Sequence, residues 1–187
     1  MNCYAITVRR WWAVPGALVL LVLLCLAAGA SEVPVPSLAG GMVGARLEYF
    51  TPVLVVIAVM YCMDRRLRET ERTAVIPVWR LDRGAVILTV ALAHGAGALV
   101  GIDVARNLTL LLALALLVRR AVNEAAAAGA AMALLIGTLV TGRTYEPGGS
   151  STHTWWALPL YPAGSAPAWL ITIAVFALAL LMTNSRD

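Results

Sequence analysis

The run AWLITIAVFALALLMT, from Ala168 to Thr183, passes sixteen positions without a charged side chain. Such a segment must sit either in the core of a large protein or in lipid. The chain has 187 residues, 61% of them hydrophobic and only 13% charged, against about 25% charged in ordinary soluble domains. It has too little polar surface to cover a core, so the bilayer is the expected solvent. In hydrocarbon every backbone N–H and C=O must be satisfied internally, which predicts an all-α polytopic membrane protein forming one domain over residues 1–187.

A helix needs roughly 20 mostly apolar residues to cross a core of about 30 Å. Six segments meet or approach this: 12–30, 47–63, 85–102, 104–118, 125–141 and 168–183. The third and fourth are separated only by GIDVARN, so they form a tight hairpin, and the fourth is short for a full crossing. The first also carries the marks of a secretory signal, with a basic VRRWW start and a small-residue AGA exit. It is read here as a span that stays attached.

Arginine placement tests the count. All fourteen basic residues are arginine. Six alternating spans put eleven of them on one side and leave Arg46, Arg106 and Arg143 on the other. The positive-inside rule then places both termini in the cytoplasm of a cell-membrane protein. The net charge of +4 is accounted for by this topology, so nucleic acid is not an expected partner.

Within lipid, helices associate by close contact, and small residues at four-residue spacing mark such contacts. Ala125, Gly129, Ala133, Gly137 and Thr141 form one such stripe, which predicts a helix packed against that face; Gly97 and Gly101 form a shorter one that chance explains as well. Intramembrane polar residues are expensive and draw attention. Glu48 in ARLEYFTP and His94 in ALAHGAGALVG are the two candidates, His94 chiefly as an interhelical hydrogen-bond donor. Asp103 and Arg106 read as a surface pair at the hairpin.

Between the last two spans, residues 142–167 are as long as a crossing helix but are broken by Pro147, Pro159, Pro162 and Pro167. The segment cannot span. Its aromatics Trp155, Trp156 and Tyr161 favour the headgroup layer, which predicts an interfacial or re-entrant helical segment.

Catalytic chemistry finds little to use. No HExxH or comparable metal signature occurs, and Cys3, Cys25 and Cys62 have no zinc or disulfide spacing. A chain without lysine cannot carry a Walker A loop, a Ser-Lys dyad or a Schiff base. Ser151 and His153 in SSTH are ordinary loop residues. The expectation is therefore no enzyme, no metal and no cofactor bound by this chain.

The remaining anomaly is MDRRLRETERTAVIPVWRLDRG, residues 63–84, which holds ten of the 24 formal charges. Topology accounts for its arginines. It does not account for the acidic residues among them or for the apolar half that follows, in which Leu67, Ala74, Val78 and Leu81 share a helical side. A short amphipathic helix at the inner face is expected.

The order of parts resembles the six-helix permease subunits of type-2 ABC exporters, including small, divergent actinobacterial ones. A basic start, YAITVRRWW, precedes span one; a charged loop follows span two; a broken segment precedes span six. LEYFTPVLVVIAVMYCMDRRLRETE is similar to the second helix of such subunits. The resemblance implies that residues 64–83 are a coupling loop, with Arg65, Arg66, Arg68, Glu69, Glu71 and Arg72 docking on a separate ATP-binding subunit. ATP and Mg would be bound by that subunit, and a second permease protomer would complete the path. A lipophilic or amphipathic cargo, such as a modified peptide, an antibiotic or a lipid, would be exported. The competing reading is an ATP-independent accessory or immunity protein that binds a toxic peptide or a lipid-linked ligand.

Overall fold

The computed structural model describes residues 10–38, 41–64, 78–145 and 151–183. Six α-helices run through them: α1 (Ala13–Ala28), α2 (Thr51–Met63), α3 (Val78–Val100), α4 (Ile102–Ala121), α5 (Glu124–Thr141) and α6 (Ala166–Thr183). Three stretches are long and apolar enough to cross a membrane: Trp79–Val100, Glu124–Thr141 and Ala166–Thr183. The chain is accordingly a mostly helical membrane protein.

It is not purely helical. Between α1 and α2 stands an antiparallel hairpin of β1 (Glu32–Pro36) and β2 (Met42–Arg46), with Glu32 opposite Arg46 and Val35 opposite Val43. After α5, β3 (Arg143–Tyr145) pairs with β4 (Ser151–His153). These two hairpins correct the all-α expectation, which arose from apolar runs alone; VPVP in β1 is too short and too proline-rich to register as a span or a helix.

Helix α4 is the axis of the bundle. It packs against α2, α3, α5 and α6, while α1 lies against α2 and α3. Every residue from Val104 to Ala113 on it is buried, polar Arg106, Asn107 and Thr109 included, because helices pack against it on several sides. It runs for 20 residues, about 30 Å at 1.5 Å per residue, so it is longer than the short fourth span expected. The peripheral helices show the opposite pattern. Val19, Leu23 and Leu26 on α1, Leu88 and Leu99 on α3, and Leu170, Ile173 and Leu181 on α6 are exposed, forming an apolar outer surface suited to lipid.

The joints follow from local chemistry. Gly101 alone separates α3 from α4, at φ 133°, a backbone setting that a residue with a Cβ rarely adopts. One turn earlier, a Cβ on Gly97 would come within 2.7 Å of the Ala105 Cβ, so this glycine lets the two helices close. Asn123 caps α5, its side chain accepting the Ala126 N–H at 2.7 Å. Asp103 in the first turn of α4 and Arg119 and Arg120 in its last complement the helix dipole.

The stripe on α5 corrects the packing expectation. Ala125, Gly129 and Ala133 are exposed, and nothing lies within 4 Å of a Cβ on Gly129 or Gly137. The face that packs is Ala127, Ala131, Leu135, Thr138 and Leu139. Both faces of this helix are rich in small residues, and the larger Leu135 and Leu139 take the core side.

Candidate functional site

Two ends of the bundle gather polar side chains, and α4 joins them. At the hairpin end, Arg106 lies in the second turn of α4 and is 1% exposed. Its guanidinium donates to the carbonyls of Pro162 (2.9 Å), Tyr161 (2.7 Å) and Leu158 (3.3 Å), and to Asn107 Oδ1 at 3.2 Å. Asn107, also 1% exposed, donates from Nδ2 to the Pro159 carbonyl at 3.0 Å. Four carbonyls of one five-residue stretch are therefore held by two adjacent side chains.

The sequence of that stretch requires such a partner. In LPLYP the prolines have no N–H, so the segment carries more acceptors than donors. Arg is the complement, a planar side chain with five donors and no acceptor. The surface Asp103–Arg106 pair expected from sequence does not form, because the Arg106 fork turns inward to these carbonyls. The signal available beforehand was the adjacency of a donor-only residue and an amide at the end of an apolar span, together with a proline-rich segment short of donors.

Residues 154–165, here called the strap, are also tied at both margins. The Thr154 N–H and Oγ1 donate to the Gly142 carbonyl, and Trp169 Nε1 donates to the Ala163 carbonyl at 2.8 Å. Gly142 seats the strap closely, since a Cβ there would come within 2.6 Å of the Ala157 Cβ. The helical content of the strap is one 3-10 turn, Leu158–Leu160. The interfacial helix expected between the fifth and sixth spans is thus replaced by a β-hairpin and a carbonyl-anchored strap, because prolines at 159 and 162 prevent a ladder from forming. Trp155 is exposed, while Trp156 and Tyr161 are half-buried, and the Tyr161 ring lies 6.1 Å from that of His153.

The other candidate polar residues fall around this end. Glu48 sits in a 3-10 turn, Leu47–Tyr49, ahead of α2, and accepts from Arg46 at 3.3 Å. That bond and the negative charge of Glu48 raise the Arg46 pKa. His94 on α3 bonds within its own helix, Nδ1 to the Val90 carbonyl at 2.8 Å. Its cross-helix contact is a tilted ring pairing with Trp169 at 5.7 Å, not the interhelical hydrogen bond anticipated. Glu48 and His94 are not brought together into one polar cluster.

At the opposite end, Arg119 binds Glu124 at 3.0 Å and donates to the Met63 carbonyl at 3.3 Å. The exit of α2 is gripped there by the α4–α5 turn. From the other side, Arg10 donates to the Tyr61 hydroxyl, and the Cys62 thiol donates to the Arg10 carbonyl. Residues 78–83 of the charged stretch form the first turns of α3. Arg65, Arg66, Arg68, Glu69, Glu71 and Arg72 lie outside the described residues. Among those described, no group of three metal-binding side chains occurs.

Comparison with protein-family models, with curated proteins and with solved structures finds no match.

Proposed function

We propose that the chain is the permease subunit of a type-2 ABC exporter, spanning the cell membrane six times with both termini in the cytoplasm. It would move a lipophilic or amphipathic substrate using ATP hydrolysed by a separate subunit. The observation that carries this reading is the double attachment of α4. At one end Arg119 holds Met63, where the charged loop begins; at the other, Arg106 and Asn107 hold the strap. Thirteen residues separate these anchors, about 20 Å of one buried helix.

A partner pressing on residues 64–77 would therefore act on α2 at Met63 and, through Arg119, on a rod whose far end carries the outer strap. Arg65, Arg66, Arg68 and Arg72, interleaved with Glu69 and Glu71, suit a soluble docking partner through charge-assisted hydrogen bonds. A second protomer, identical or related, would complete the path between copies.

The test is purification of the tagged chain from its own cells in mild detergent. An ATP-binding subunit should accompany it and hydrolyse ATP, and charge reversal at Arg65, Arg66 and Arg68 together should release that subunit or uncouple its turnover. Recovery of the chain without any ATPase would overturn the proposal and leave the ATP-independent accessory or immunity protein as the better reading.

A further inference from the structure

We propose that Arg106 and Asn107 form a latch, and that the centre of the strap, residues 155–162, lifts from the end of the bundle when this fork lets go, pivoting on the ties of Thr154 to Gly142 and of Ala163 to Trp169. The inference concerns the single chain and does not depend on any ATPase.

Three features lead to it. First, the apolar hold on the strap is limited: only Ala157, Pro159 and Leu160 are fully buried, Trp156 is half-buried against the core, and Trp155 and Pro162 are exposed. The four hydrogen bonds from the Arg106–Asn107 pair to strap carbonyls thus weigh heavily in keeping it down, and a fifth, between the two side chains, orients the fork. Second, every acceptor on Arg106 is neutral. Asp103 acts on the guanidinium only through its charge, without a direct ion pair, so release of the fork into the headgroup layer is less costly than breaking a buried ion pair. Third, the bonds converge on one helix turn. Loss of a single side chain removes most of them together, which makes the release cooperative.

The backbone of this centre supports its movement as one body. Leu160 N–H bonds to the Ala157 carbonyl and Tyr161 N–H to that of Leu158. These local turns do not need α4 to persist.

The experiment uses Leu160→Cys, at a site 5% exposed, in protein reconstituted in lipid nanodiscs. Reaction with a membrane-impermeant maleimide is followed at that position by mass spectrometry. Ala113→Cys, at a fully buried position of α4, reports on the bundle itself. Position 160 should react slowly when Arg106 is intact and about tenfold faster or more in Arg106→Met, the change expected for losing charge-assisted hydrogen bonds, while position 113 stays protected. If Arg106→Met does not yield folded protein, Asn107→Leu, which removes the Pro159 bond, should raise the rate severalfold. An unchanged rate at 160 overturns the latch, as does rapid reaction at 160 with Arg106 intact. Simultaneous exposure of 113 also overturns it, because the fork would then be a support of the whole bundle.

Discussion

At the scale of single residues, the decisive choice in this chain is a guanidinium placed where its surroundings offer only carbonyl oxygens. Lysine carries the same charge but presents it as a point on a flexible stem, so it cannot reach the carbonyls of 158, 161 and 162 in the arginine geometry. Arg106→Lys should accordingly give a labelling rate at position 160 between those of intact Arg106 and Arg106→Met; a rate equal to that of intact Arg106 would mean that charge alone holds the strap. His153 supplies a second test. Partial burial, then the positive charge of Arg143, lowers its pKa below the ordinary histidine value. The opened hairpin therefore binds a proton more readily than the closed one. Its stability is complete above the ordinary histidine pKa, falls as pH drops towards the lowered value, and levels off below it. Amide hydrogen exchange across β3 and β4 should quicken over that acid window beyond the intrinsic pH effect, and His153→Gln should flatten the excess.

At the scale of elements, the α3–α4 hairpin and helix α5 show what a small-residue pattern does and does not encode. Gly97 and Gly101 looked like chance in an alanine-rich sequence. At Gly97 the two helices come too near for a Cβ, which would lie 2.7 Å from that of Ala105, and Gly101 is the turn between them. The longer stripe from Ala125 to Thr141 faces away from the bundle, since spacing specifies a face without saying which neighbour it meets. The consequence is measurable by thermal unfolding in detergent. Gly97→Ala pushes a methyl into Ala105 and should cost about 1–3 kcal/mol. Gly129→Ala meets nothing and should be neutral or gain up to about 1 kcal/mol from helix propensity; an equal loss at both sites would contradict the packing described. The apolar helices were legible because their composition admits one solvent. The strap's anchoring was not, because its partners are some 50 residues away along the chain and its acceptors are backbone atoms, which no side-chain pattern announces. The VPVP hairpin was hidden for a related reason: its pairing is set by backbone register between Glu32 and Arg46, not by a periodicity of either strand.

At the scale of the whole molecule, an apolar periphery surrounds a buried axial helix with polar attachments at both ends. Peripheral leucines, valines and isoleucines on α1, α3 and α6 face outward, as lipid contact demands, while α4 spends its polar groups on holding Met63 at one end and the strap at the other. Under the proposed function, this arrangement carries a push on the cytoplasmic loop to the outer strap. The most direct measurement is maleimide labelling of Leu160→Cys in native membranes, with and without ATP. The account predicts that ATP changes the rate and that charge reversal at Arg65, Arg66 and Arg68 abolishes the change. A rate indifferent to ATP, in membranes where the ATP-binding subunit is present, would contradict it.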